Sequence, residues 1–147
     1  MEKKENKFFI IMAEDDEDDR VMIRDASIEA GITTPIRFVE NGEELMDFLL
    51  HRNQFSQNKE PSSSVIILLD LNMPKLDGRK ALEEIKRNES LRKIPVLILT
   101  TSNTKEEIEW AYNSGANSFI IKPFNFDSMV DIMKTIKDYW FRIVALP

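Results

Sequence analysis

The sequence predicts an α/β fold built on a doubly wound parallel sheet, from three observations. Five short apolar runs alternate strictly with five amphipathic stretches. The runs are apolar on both alternations, as strands buried on two faces must be. A strict alternation of this kind is joined by right-handed crossovers that place helices over both faces of the sheet. The chain shows no internal repeat, and 147 residues suffice for one compact core but not for two ordinary ones, so residues 1–147 read as a single domain.

The first strand is "FFIIMA", Phe8 to Ala13. "EDDEDDRVMIRDASIEAG" follows as a helix with an acidic start, Val21, Ile23, Ala26, Ile28 and Ala30 inward, and Gly31 as its stop. "PIRFVE" is the second strand, and "NGEELMDFLLHRN" the second helix with Leu45, Phe48 and Leu49 on one face. "QFSQNKEPSSS", residues 54–64, has the composition of a loop. "VIILLD" is the third strand, and "GRKALEEIKRNESLRK" supplies the third helix and its exit. "IPVLILT" and "NSFIIK" are the fourth and fifth strands, separated by the helix "TKEEIEWAYNSG", which Gly115 closes. The fifth helix, "NFDSMVDIMKTIKDYW", carries Phe126, Met129, Val130, Met133 and Ile136 at helical spacing. The tail "YWFRIVALP", residues 139–147, is unusually apolar for a terminus. It either folds back onto its own domain or makes a dimer or partner contact.

Composition narrows the function. With 42% apolar and 31% charged residues the chain is that of a water-soluble globular protein. A net charge of −6 argues against general nucleic-acid binding, which needs a basic face for the phosphates. The absence of cysteine removes disulfides and thiolate metal sites. No apolar run approaches a membrane span, and the start "MEKKENK" has no apolar core of a signal peptide, so a cytoplasmic location is expected. Neither G-x-x-x-x-G-K-[ST] nor G-x-G-x-x-G occurs, which removes the common nucleotide-binding loops.

In doubly wound sheets ligands sit at the carboxyl ends of the strands. That rule gathers Glu14 and Asp15 after the first strand, Asp70 after the third, Thr100 and Thr101 after the fourth, and Lys122 and Pro123 after the fifth. Singly these residues are bland: acidic clusters offset helix dipoles, aspartates form turns, and threonines favour strands. Together they have a chemical meaning. Crowded carboxylates repel, and a divalent cation relieves the repulsion. Mg²⁺ takes one or two carboxylates and leaves positions open for phosphate oxygens. Asp15 and Asp70 are the natural side-chain ligands, with Glu14 or Asp16 acting through water and the Asn72 main-chain carbonyl as a further oxygen. Asp70 is then placed as a nucleophile for a phosphoryl group, with Lys122 and the Thr100 hydroxyl each taking a phosphoryl oxygen. A cis bond at Lys122–Pro123 would aim the lysine inward.

With those residues assembled, the chain resembles a response-regulator receiver domain of two-component signalling, over about Phe8 to Tyr139. The motifs that carry the resemblance are "EDD", "LLDLNMPKLDG", "ILTTS" and "IIKPF". It implies a flavodoxin-like sheet in the order 2-1-3-4-5. It makes Asp70 the phospho-acceptor, Glu14 and Asp15 the acidic pair, Thr100 the switch hydroxyl and Lys122 the phosphate partner, with the Lys122–Pro123 bond cis. It implies a sensor histidine kinase or histidine phosphotransfer protein as phosphodonor. The aromatic that follows the switch hydroxyl is Phe119 here, which lacks the hydroxyl of a tyrosine. Signalling would run through the surface of the fourth helix, fifth strand and fifth helix, for partner binding or a homodimer. No DNA-binding output domain is expected after the fifth helix, and the long loop and "LP" ending are similar to single-domain regulators of phytochrome-type sensor kinases. A signalling protein rather than a turnover enzyme is expected: a Mg²⁺-dependent phosphatase with an Asp nucleophile would carry a second carboxylate where Asn72 stands. A receiver fold used only for binding is disfavoured by the complete set of Asp15, Asp70, Thr100 and Lys122. His51, the one histidine, reads as a surface residue near a helix end.

Overall fold

The computed structural model describes residues 9–57 and 65–146. Phe8, the end of the loop before the third strand and Pro147 lie outside the described residues. Strands β1 (Phe9–Ala13), β2 (Arg37–Val39), β3 (Val65–Leu69), β4 (Val96–Thr100) and β5 (Ser118–Ile121) form one sheet. The order is β2-β1-β3-β4-β5, and every pairing is parallel. The helices between and after them are α1 (Glu17–Glu29), α2 (Gly42–Leu49), α3 (Gly78–Arg87), α4 (Lys105–Asn113) and α5 (Phe126–Ile136). A short 3₁₀ turn, Asn53–Phe55, follows α2.

All residues of β1, β3 and β4 are buried, which is why these runs are apolar without alternation. Their side chains divide by parity. Ile11, Ile67 and Ile98 join one core with Leu45 of α2, Leu82 of α3 and Ala111 of α4. Met12, Leu68 and Leu99 join a second core with Ile23 of α1 and Met133 of α5. The sheet thus carries α1 and α5 on one face and α2, α3 and α4 on the other. Each of the five helices begins on a side-chain cap: Asp16, Asn41, Asp77, Thr104 and Asn125 accept from backbone N–H groups of the first turn. Gly31 (φ 86°) and Gly115 (φ 103°) sit just past the ends of α1 and α4 in the left-handed region, as their predicted roles as helix stops require.

Three expectations about the helices need correction. Val21 and Ile28 on α1 are 43% and 66% exposed, because the stripe of Ile23, Ala26, Ser27 and Ala30 already fills the face against the sheet. Phe126 opens α5 and is 40% exposed, while Met129, Val130, Met133 and Ile136 are buried as expected. The fifth helix does not run on as an α-helix to Trp140; a π-helix, Lys137–Ile143, follows it. Phe141 in that segment is buried, and Trp140 and Leu146 pack against the same core. The tail therefore folds back on its own domain, leaving Tyr139 and Ile143 exposed. His51 is exposed at the exit of α2, with a left-handed φ of 54°.

Candidate phosphoryl-accepting site

The register decides what meets at the carboxyl edge. Ala13 pairs with Leu69, so Glu14 and Asp70 leave the sheet side by side. Thr100 pairs with Ile121, which brings Lys122 to the same edge. The ladder continues one residue past each strand: Glu14 N–H donates to the Val39 carbonyl (2.9 Å), Asp70 N–H to Ala13 (3.2 Å) and Lys122 N–H to Thr100 (2.8 Å). The backbone under the candidate groups is therefore sheet-like and fixed. Gly78 fits closely beneath Asp70, since a Cβ there would lie 2.1 Å from the Asp70 carbonyl oxygen.

Glu14, Asp70, Thr100 and Lys122 are all buried, and Asp15 is exposed. Lys122 Nζ donates to a Glu14 oxygen, to Asp70 Oδ2 at 3.1 Å and to Asp19 Oδ2 at 2.9 Å. The other Asp70 oxygen, Oδ1, accepts from the Asn72 N–H at 3.2 Å. Glu14, Asp15 and Asp70 each bring a carboxylate oxygen within 4.8 Å of the others. That oxygen-only donor set suits a hard divalent cation. Glu14 therefore stands directly in the cluster, whereas Asp16 is the cap of α1, accepting from Asp19 N–H at 3.0 Å.

Burial pushes the Glu14 carboxyl up to about 8, with the charge of Asp70 adding to it and the Lys122 hydrogen bond opposing it. Burial would lower the Lys122 ammonium, but its hydrogen bonds to Glu14 and Asp19 and the charge of Asp70 outweigh this and hold it above the usual lysine range. The Thr100 hydroxyl is buried without a hydrogen-bond partner among the described residues. Phe119 pairs with Ile98 in register and packs, half-buried, against the core that Ile98 joins. Since side chains alternate along a strand, Phe119 and Thr100 share that face of the sheet.

The predicted cis bond does not occur: no peptide bond among the described residues is cis, so Lys122–Pro123 is trans. The lysine reaches all three carboxylates from the trans form, which X–Pro bonds ordinarily prefer.

Five contributors lay outside the predicted site: Asp19, Arg20, Arg79, Ser102 and Glu107. Asp19 lies in the first turn of α1, inside an acidic run that reads as dipole compensation, so nothing in the sequence set it apart. Arg20 Nη1 donates at 2.9 Å to the carbonyls of both Glu14 and Asp15, closing the β1–α1 loop. Arg79 reaches the Leu71 carbonyl (3.2 Å) and pairs with Glu107, whose other oxygen accepts from the Ser102 hydroxyl. That chain ties the loop after β4 to the start of α3. Asn103, in the same loop, is exposed.

An open sheet with acidic groups and one ammonium at its carboxyl edge defines a class of α/β domains that gather their ligand chemistry at a single rim. Within that class the chain belongs to the response regulator receiver domain family, whose model matches residues 10–134. It is 35% identical over 136 residues to a probable methanogenesis regulatory protein, FilR2, of Methanothrix harundinacea (strain 6Ac), covering 92% of this chain and 85% of FilR2. It is 31% identical over 138 residues to the response regulator Rcp1 of Synechocystis sp. (strain ATCC 27184 / PCC 6803 / Kazusa), covering 94% of this chain and 92% of Rcp1. The crystal structure of Mn²⁺-bound Rcp1 superposes with a TM-score of 0.83 over 95% of this chain and 99% of that one. The phosphorylated cyanobacterial phytochrome response regulator RcpA, 33% identical, gives a TM-score of 0.85 over 95% and 98% of the two chains. The flavodoxin-like fold and the likeness to phytochrome-associated regulators agree with the expectations from sequence. No helix among the described residues is long and apolar enough to cross a membrane.

Proposed function

We propose that this receiver domain accepts a phosphoryl group on Asp70 from a histidine kinase or histidine phosphotransfer protein in a Mg²⁺-dependent reaction. The observation that carries the reading is the position of the Asp70 carboxylate, shared between an oxygen cluster and the Lys122 ammonium. Asp70 attacks phosphorus, and the imidazole of the donor leaves. Lys122 transfers its hydrogen bond from Asp70 Oδ2 to a phosphoryl oxygen, neutralising charge without moving far. The partnerless Thr100 hydroxyl donates to another, and Phe119 follows into the space it leaves. Mg²⁺ held by Asp15, Asp70 and the Asn72 carbonyl, with Glu14 alongside, would supply charge neutralisation at the third. The Mn²⁺ in Rcp1 and the phosphorylated state of RcpA support this reading by likeness.

Phosphorylation then biases a two-state surface formed by α4, β5 and α5, for partner binding or dimerisation. Tyr112 and Ile121 are half-exposed there, and β5 and α5 together line a cleft with Ile120, Asp131, Ile132, Thr135 and Ile136. The protein acts in the cytoplasm as a signalling component, and its only chemistry is taking up and losing its own phosphoryl group. Intact mass after mixing with acetyl phosphate tests the proposal. A gain of one phosphoryl group that requires Mg²⁺ and is absent from Asp70→Asn is expected. Equal gain in Asp70→Asn would place the acceptor elsewhere.

A further inference from the structure

Lys122 has three N–H donors, and three different carboxylates take them: Glu14, Asp70 and Asp19. Two of the three also belong to the oxygen cluster that suits a cation, namely Glu14 and Asp70. Asp19 does not. It is a partner that the ammonium shares with no cation site. Its approach is also fixed, because Asp19 lies in the first turn of α1 and its own N–H is held at 3.0 Å by the capping Asp16 carboxylate. The Asp19 side chain is 34% exposed, against 5% for Lys122, so it reaches the buried ammonium from the rim.

We infer that Asp19 is a positioning residue for phosphoryl transfer: it anchors the Lys122 ammonium while the donor to Asp70 is handed over to a phosphoryl oxygen. The inference rests on Asp70 being the acceptor. During that hand-over the bond to Asp70 Oδ2 must break, and Glu14 would be shared with a cation held at the cluster. A lysine side chain is a flexible stem with a point charge, and it needs a fixed acceptor to aim the remaining N–H. Asp19 supplies that acceptor from a capped helix end. Its charge also opposes an incoming anionic donor, but that repulsion acts from a partly exposed carboxylate and is screened by solvent. Aiming therefore outweighs repulsion, and removal of Asp19 slows transfer.

The test compares Asp19→Ala and Asp19→Asn with the unaltered chain and an Asp70→Asn control. The readouts are the maximal phosphorylation rate at saturating acetyl phosphate, Mg²⁺ affinity, thermal midpoint and the ¹⁵N–H signal of the Lys122 ammonium. Asp19→Ala is expected to lower the maximal rate about tenfold, equivalent to about 1.4 kcal/mol. Mg²⁺ affinity should stay within about twofold and the ammonium signal should broaden by exchange with water. Asp19→Asn, which keeps an acceptor oxygen, should recover most of the rate and the signal. An Asp19→Ala rate equal to that of the unaltered chain overturns the inference. So does a rate loss that parallels lost Mg²⁺ affinity or thermal stability, or an Asp19→Asn rate as low as that of Asp19→Ala. If the unaltered chain takes up no phosphoryl group, the Asp70 reading fails and the role in transfer with it; the ammonium signal then shows separately whether Asp19 holds the lysine.

Discussion

Replacing the Thr100 hydroxyl with a methyl group separates its energetic cost from its use. The group is buried with no partner among the described residues, and a buried hydroxyl left unsatisfied costs about 1–3 kcal/mol. Thr100→Val keeps the β-branched shape and removes the unsatisfied oxygen. The unphosphorylated protein should become more stable by about 1 kcal/mol in urea unfolding. Under the proposed function Asp70 should still take up a phosphoryl group, while the proposed change at the α4–β5–α5 surface is lost. A Thr100→Val protein less stable than the parent would mean that the hydroxyl already has a partner. At this scale the sequence was informative wherever a residue ends a strand: Glu14, Asp15, Asp70, Thr100 and Lys122 could be placed on one edge from strand order alone. Asp19 could not, because its partner Lys122 is 103 residues away and its neighbours look like ordinary dipole compensation.

Between elements, the contact from α4 to α3 is what the site borrows from its surroundings. Arg79 at the start of α3 holds both the Leu71 carbonyl and Glu107 of α4, and Glu107 holds Ser102 in the loop that follows β4. Any inward movement of Thr100 has to carry that loop. Glu107→Ala should loosen it: amide exchange at residues 102–104 should quicken severalfold, with a global stability loss of about 1 kcal/mol or less for a partly exposed pair. Unchanged exchange there would show that the loop is held by something other than Glu107. This latch was illegible in the sequence, where "EEIEW" reads as a solvated helix face. Elements themselves were legible in proportion to burial. The fully buried β1, β3 and β4 announce themselves as apolar runs, whereas α1 carries Val21 and Ile28 outward and blurs its own stripe. The break from α5 into a π-helix leaves no mark in an apolar pattern that continues through Phe141.

The whole molecule feels the site through proton linkage. Glu14 sits at about 8 in the folded chain, against an ordinary value of 4.5. Between those values the folded protein, without a cation, binds a proton that the unfolded chain has released. The associated stability is complete below about pH 4.5 and is lost as pH rises through 8, by an amount on the order of a few kcal/mol. A divalent cation held at the cluster of Glu14, Asp15 and Asp70 would reverse the trend, because it would favour the carboxylate. Two thermal series, with chelator and with Mg²⁺, should therefore diverge between pH 5 and pH 8, the chelated midpoints falling and the Mg²⁺-dependent gain growing. Glu14→Gln should flatten the chelated series, since it keeps a hydrogen-bonding side chain without a proton to lose. A chelated midpoint that rises steadily across that range would mean that Lys122 keeps Glu14 ionised throughout. The acidic edge would then be stabilised by its own ammonium and would gain from the cation only through direct ligation.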